Sequence, residues 1–204
     1  MKNLLINPNV SVNKKRNEVS DQIDHALIKW LIKNSYNPIV ISNKTLILSK
    51  KKLNQFLNTL KLKGILLSGG NYKMNSIRYQ FQNFLIDYAL KNNLPVLGIC
   101  QGMQLIGVRF GSKLVKVQNH VRTTHKLINL SKERFPKKCN SYHNYSLKNC
   151  PKDFYITTKA PDGNIESIKH KNLPWEGWMW HPERENIISA IDTNRFIRLI
   201  SNET

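Results

Sequence analysis

Leu94-Pro95-Val96-Leu97-Gly98-Ile99-Cys100-Gln101-Gly102-Met103-Gln104 is a short apolar run that ends in Gly-x-Cys-x-Gly and passes directly into helical spacing. A buried strand, a glycine-flanked cysteine and a helix in immediate succession form the cysteine version of a nucleophile elbow. The glycines permit a tight turn that a residue with a Cβ resists, and the turn presents the sulfur at a helix N-terminus. Unpaired N–H groups and the helix dipole there favour thiolate over thiol, the form that attacks a carbonyl. Taken alone, the pentapeptide also fits a buried structural cysteine at a glycine-rich strand end.

The other end of the chain bears on that choice. Trp178-Met179-Trp180-His181-Pro182-Glu183 couples a β-forming aromatic segment to an imidazole and a carboxylate two residues apart. In extended chain, residues two apart project to the same side, so Glu183 is expected to brace His181 in one tautomer. By itself His-Pro-Glu also reads as a polar turn. With Cys100 it completes a thiol, imidazole and carboxylate set, the pattern of a Cys/His/Glu triad.

Outward from these two anchors, strand and helix patterns alternate. Strands are expected at Asn3–Ile6, Pro38–Ile41, Gly64–Leu67 and Leu94–Ile99, and helices at Val19–Ile32, Lys51–Leu62, Ser76–Asn92 and Gln101–Phe110. Such alternation predicts an α/β fold, a mostly parallel central sheet with helices on both faces. After Gly111 the pattern changes to short β segments, Leu114–Val117, Thr124–Leu130, Phe154–Lys159, Asn164–Lys169 and Trp178–Trp180, predicting a small antiparallel region in the C-terminal half. Pro161-Asp162-Gly163 is a turn signal, because Pro presets φ and Gly accepts positive φ, so its flanks should form a hairpin. A closing helix is expected over Ile187–Ser201. With no repeat and no linker, residues 1–204 read as a single domain.

The chain resembles the class I glutamine amidotransferases, and among them the stand-alone γ-glutamyl hydrolase branch of the peptidase C26 type. The resemblance rests on Gly64-Ile65-Leu66-Leu67-Ser68-Gly69-Gly70, Pro95 to Gln104, Asn140-Ser141-Tyr142-His143, Pro161 to Glu166 and Trp180 to Glu183, in the family's order. It implies a cysteine-dependent hydrolase that cleaves a γ-glutamyl amide through a γ-glutamyl thioester, with Cys100, His181 and Glu183 as the catalytic residues. The backbone N–H groups of Gly70 and Gln101 are expected to form the oxyanion hole, glycines letting the amides approach a ligand closely. By resemblance alone, Gln104 and the loop Ser141, Tyr142, His143 are carried over as substrate-binding, the loop holding the glutamate's α-amino and α-carboxylate groups partly through backbone atoms. Gln101 departs from the arginine frequent in that branch, and Asn71-Tyr72-Lys73 replaces acidic or small residues at the pocket rim.

The 204 residues carry 32 Lys and Arg against 13 Asp and Glu, a net charge of +19. Part of this is the abundance of lysine that an AT-rich genome produces. The field would still draw anionic ligands. Basic runs are short and scattered, and no nucleic-acid-binding signature accompanies them, so a small acidic substrate is the better expectation. A narrower resemblance is to hydrolases acting on γ-glutamyl-CDP-amidate in capsule phosphoramidate biosynthesis, and a nucleotide conjugate would suit the charge. The alternatives are a glutaminase subunit delivering ammonia to a separate synthetase partner, a hydrolase of γ-glutamyl-aminobutyrate or polyamine, and a degenerate binding domain.

No apolar run approaches the roughly 18 residues that cross a bilayer, and three cysteines, an odd number, argue for a reducing compartment, so a cytoplasmic protein is expected. No cofactor is expected. His120, His125, Cys139 and His143 have spacing that fits no standard zinc motif, so no metal site is expected either. Arg78 and Arg122 are assigned to the solvated surface.

Overall fold

Leu4, Leu5 and Ile6 are fully buried, and they lie on the first strand of the central sheet. The computed structural model describes residues 1–71, 73–74 and 76–201. Along the first half run β1 (Lys2–Asn7), β2 (Asn9–Asn13), β3 (Glu18–Gln22), α1 (His25–Lys33), β4 (Tyr36–Val40), α2 (Lys50–Thr59), β5 (Gly64–Leu67), α3 (Ile77–Asn92), β6 (Val96–Ile99) and α4 (Gln101–Arg109). The second half holds β7 (Leu114–Lys116), β8 (Val121–Lys126), β9 (Ile128–Asn129), β10 (Lys138–Tyr142), β11 (Tyr145–Leu147), β12 (Phe154–Lys159), β13 (Ile165–His170), β14 (Trp175–Trp178) and α5 (Ala190–Ser201).

Among the described residues, one eight-stranded sheet has the order β4-β1-β5-β6-β14-β13-β12-β9. From β4 to β14 every neighbour is parallel, and from β14 to β9 every neighbour is antiparallel. The α/β class, the mostly parallel core and the antiparallel C-terminal extension are therefore as the sequence pattern predicts. β14 joins the two regimes. It lies parallel to β6 with Trp178 opposite Ile99, so the strand leading to His181 runs beside the strand leading to Cys100. Both end at the same edge of the sheet, outside the carboxyl ends where α/β sheets place ligands.

The helices begin where short polar residues can cap them. Asp24, Ser49 and Ser76 accept hydrogen bonds from the first-turn amides of α1, α2 and α3. Asp24 also accounts for one departure from the expected elements. The pattern from Val19 to Ile32 is not one helix: residues 18–22 pair with β2 as an exposed hairpin, and α1 starts only after the cap. A largely exposed hairpin has no apolar stripe by which it could be recognised.

The aromatic segment is also displaced. The strand covers Trp175–Trp178 rather than Trp178–Trp180, because neighbours on both edges bury all four residues, Glu176 included. Arg195 on α5 reaches Glu176 with 2.7 Å between Nε and Oε2, which makes that burial tolerable. Thr124–Leu130 divides into β8 and β9, α5 starts at Ala190 rather than Ile187, and β10 and β11 have no counterpart among the expected strands. The Pro161-Asp162-Gly163 turn closes the β12–β13 hairpin, with Gly163 at φ 87°.

Candidate active site

Cys100 stands between the end of β6 and the first turn of α4, with φ 49° and ψ −102°. A side chain with a Cβ rarely adopts this region, and the strain is held by its surroundings. Its N–H donates to Trp178 O at 2.7 Å, and its carbonyl accepts from Gln104 N at 3.0 Å. Gly102 makes the turn possible: a Cβ there would lie 2.1 Å from Leu67 O on β5. The sulfur is nearly buried, at the positive end of α4.

His181 follows β14 by three residues. It caps a short 3-10 turn, Pro182–Arg184, that starts at the proline. The strand alternation expected to pair His181 with Glu183 is therefore not the cause of their contact: the turn folds the carboxylate back, leaving Glu183 Oε1 2.7 Å from His181 Nδ1. Asn140 on β10 clamps the same residue, accepting from His181 N at 2.9 Å and donating to His181 O at 2.7 Å. Burial alone would lower the pKa of this imidazole, but its interactions with Cys100 and Glu183 prevail and raise it to about 9.

The Ser68-Gly69-Gly70 loop closes the other side. Gly69 packs against the imidazole so closely that a Cβ would sit 2.4 Å from His181 Cε1. Gly70 has φ 148°, and a Cβ on it would strike Asn9 and Arg78. Arg78, expected at the solvated surface, is instead only 3% exposed. Its Nη2 donates to Ser68 O at 2.6 Å and Gly69 O at 3.0 Å, and its Nε to Pro8 O at 3.0 Å. The signal was available: a single arginine opens the helix that follows a Gly-Gly loop, where exposed carbonyls need a donor. Gln101, as the first residue of α4, has an N–H without an intrahelical acceptor.

The residues carried over for substrate binding divide. Gln104 is buried and donates through Nε2 to Tyr145 O at 2.9 Å. Tyr142 is partly exposed and meets the His181 ring edge-on at 5.8 Å between centroids. Ser141 and His143 take a different orientation. Their side chains are buried on the other face of the ribbon, where the Ser141 hydroxyl donates to His120 O at 2.7 Å and His143 Nε2 lies 3.2 Å from His120 Nδ1. Contact with a substrate from those two positions falls to backbone atoms. The Gln101 side chain also turns away, forming a reciprocal amide pair with Gln82 at 2.9 and 3.0 Å. Of the rim Asn71-Tyr72-Lys73, Tyr72 lies outside the described residues.

A cleft of about 570 Å³ opens beside His181, lined by Asp21, Asp24, Gly69, Gly70, Glu183 and Arg184 among others. Arg184 also lines a second recess of about 460 Å³, together with Arg122, Asn140 and Tyr142. Behind β10, His120, His125 and His143 converge on Glu166 rather than on Cys139, a grouping that the chain spacing did not suggest. Glu166 is the missed member, a lone carboxylate in a strand otherwise flanked by buried Ile165 and Ile168.

The sequence profile of the family "glutamine amidotransferase class-I" matches residues 17–189. The chain belongs to that family. Among the proteins this amidotransferase-family chain is similar to, γ-glutamyl-CDP-amidate hydrolase of Campylobacter jejuni is 36% identical over 64% of this chain and 66% of its own length. That alignment thus stops just short of two thirds of the relative. A glutamine-hydrolyzing GMP synthase subunit of Methanocaldococcus jannaschii is 29% identical over 74% of this chain and 80% of its own length. In fold, the class I chain matches a crystal structure from Thermoplasma acidophilum, described as a candidate GMP synthase subunit, with a TM-score of 0.72 at 22% identity, covering 98% of this chain and 93% of the other. No helix among the described residues is long and apolar enough to cross a membrane.

Proposed function

We propose that this chain is a γ-glutamyl amide hydrolase that uses Cys100 as nucleophile, His181 as acid and base, and Glu183 to orient His181. The observation that carries the reading is the 2.7 Å contact of His181 Nδ1 with Glu183, on a ring whose other side faces the thiol at a strained elbow. Cys100 Sγ attacks the γ-carbonyl carbon as its proton passes to His181, and the oxyanion takes hydrogen bonds from Gly70 and Gln101 N–H. When the tetrahedral adduct collapses, the C–N bond breaks and His181 gives a proton to the departing nitrogen. Water then adds to the thioester, His181 takes its proton, and the C–S bond breaks to release glutamate and regenerate the thiol.

The favoured substrate is an anionic nucleotide adduct such as γ-glutamyl-CDP-amidate, as in capsule phosphoramidate biosynthesis. Three things support it: the likeness to the Campylobacter hydrolase, the net charge of +19, and the recess where Arg122 and Arg184 stand next to Tyr142. A second reading, a glutaminase subunit serving a separate synthetase, is supported by the longer alignment with the Methanocaldococcus GMP synthase subunit.

Glutamate release by the isolated chain, measured for γ-glutamyl-CDP-amidate, γ-glutamyl-aminobutyrate, a γ-glutamyl polyamine and glutamine, separates the readings. Hydrolysis of the nucleotide adduct ahead of the others, lost in Cys100→Ala, is expected. Fast hydrolysis of glutamine with the adduct inert would favour the second reading, and activity retained in Cys100→Ala would remove the mechanism.

A further inference from the structure

We infer that His120, His125, His143 and Glu166 form a closed, tetrahedral divalent-metal site, of the zinc type, which ties the β8–β10 ribbon to the central sheet. It stands independently of the proposed activity.

Four donor atoms converge from three parts of the chain. His120 Nδ1 and His143 Nε2 are each 3.4 Å from Glu166 Oε1, His125 Nε2 is 3.5 Å from it, and His120 Nδ1 is 3.2 Å from His143 Nε2. All four donors lie within 4.8 Å of one another. With metal–ligand bonds of about 2.0–2.1 Å, the edge of a tetrahedron is about 3.3–3.4 Å, so the four contacts of 3.2 to 3.5 Å match donors that share one ion.

The outward faces of the rings point the same way. His120 Nε2 is 2.8 Å from Asp162 Oδ2, His143 Nδ1 is 3.1 Å from Tyr145 O, and His125 Nδ1 is 3.2 Å from Lys126 O. Each acceptor claims an N–H, which leaves a lone pair on the inward nitrogen. A carboxylate or carbonyl behind a metal-binding imidazole is the usual supporting arrangement. Inside the cluster, Glu166 is completely buried, and neither of its oxygens nor His125 Nε2 has a hydrogen-bond partner.

Three lone pairs facing a buried carboxylate suit a cation, whereas one proton shared between His120 Nδ1 and His143 Nε2 would serve only those two atoms. Extra protons fit poorly. A charge-assisted N–H···O bond to a carboxylate measures about 2.7–2.9 Å, shorter than every inward contact here. Protonating both His120 and His143 would also set two N–H groups head to head across 3.2 Å. A metal ion meets all four donors at once. With four protein ligands and little exposure, the site has no open position for a substrate, which makes it structural. Cys139 stays outside, its sulfur 3.8 Å from the outward Nδ1 of His125. The consequence reaches the active site through β10, since the same ribbon carries Asn140 and Tyr142 against His181.

The test is metal analysis of the full chain by plasma mass spectrometry, with and without chelation, followed by titration of the stripped protein with Zn²⁺ and with Co²⁺. The expected result is about one zinc per chain, bound cobalt showing the intense d–d bands of a tetrahedral ion, and a rise in thermal midpoint on the order of 10 °C when zinc is restored. Glu166→Gln and His125→Ala should lose stoichiometric metal, while Cys139→Ser retains it. If the variants fail to fold, the cobalt spectrum of the wild-type chain still decides. A chain that purifies without metal and neither binds Zn²⁺ nor changes its melting with it would overturn the proposal.

Discussion

His181 is held by Glu183 at 2.7 Å, and the two belong to one 3-10 turn rather than to the strand before it. The contact therefore depends on Pro182 starting the turn and on Asn140 fixing the backbone of His181 from a different part of the chain.

The first prediction concerns pH. His181 is raised to about 9, above the roughly 6.5 of an unfolded histidine, although burial opposes it, because Cys100 and Glu183 favour the imidazolium. Its contribution to folding is therefore complete below about pH 6.5 and fades as pH rises through about 9. In the proposed mechanism the proton it gives to the leaving nitrogen disappears over the same range, so the rate should fall on an alkaline limb near pH 9. Glu183→Gln removes one of the two groups that raise the pKa. It should shift that limb to lower pH and reduce kcat by on the order of 10²–10⁴. A pH–rate profile whose limb does not move in the variant would contradict this account.

Arg78 should matter to both fold and rate. Its guanidinium, with pKa lowered to about 10 by burial, holds the carbonyls of Pro8, Ser68 and Gly69 together. Arg78→Met takes its donor from Ser68 O and one of two donors each from Pro8 O and Gly69 O, and should cost about 1–3 kcal/mol, read as a lower urea midpoint. Arg78→Lys keeps the charge but not the planar fork, and should recover only part of the stability. In both variants kcat should fall, since Gly69 and Gly70 lose their brace. A lysine variant equal to wild type in both measurements would rule out the clamp.

Two glycines with similar crowding should fail in different ways. A Cβ at Gly102 would meet Leu67 O, a strand carbonyl that cannot yield without moving the sheet. Gly102→Ala should therefore unfold the chain or lower its melting point sharply. A Cβ at Gly69 would instead meet His181 Cε1 at 2.4 Å, the ring of the proposed acid and base. Gly69→Ala should keep most of the stability and lose about 10²-fold in kcat, as expected for a displacement near 1 Å. Thermal melting beside steady-state kinetics distinguishes the two, and equal loss of activity at unchanged stability in both would refute the distinction.

What the chain disclosed in advance follows from the range of the interactions. Gly64–Leu67 and Phe154–Lys159 have the expected bounds, and the Cys100 elbow lies where the glycines placed it, because buried strands and tight turns write their patterns locally. The β2–β3 hairpin left no such pattern because β3 is exposed throughout and β2 buries no residue fully. Arg78, Glu166 and Asn140 acquire their roles only through partners on other elements: Arg78 through the loop after β5, Glu166 through histidines 23 and more residues upstream, and Asn140 through His181, 41 residues away. Ser141 and His143 show the limit of a resemblance, which gives a loop in order but not which face of the ribbon each side chain takes.

The final prediction concerns the leaving group. Arg184 stacks over Tyr142, with its guanidinium carbon 4.9 Å from the ring centroid, and faces both the cleft beside His181 and the recess shared with Arg122. A planar cation held against an aromatic ring at this junction is suited to a phosphate oxygen of the departing half. Arg184→Ala should raise KM for γ-glutamyl-CDP-amidate roughly 10- to 100-fold, the loss expected for one charge-assisted contact. It should leave the KM of a γ-glutamyl anilide, which carries no charge on the leaving group, within about threefold, since the proposed mechanism assigns the scissile bond to Cys100 and His181. Added salt should weaken the wild-type response to the nucleotide adduct and hardly affect the variant. Parallel losses on both substrates would mean that Arg184 acts through Glu183, which lies 4.0 Å from its Nε, rather than through the anion.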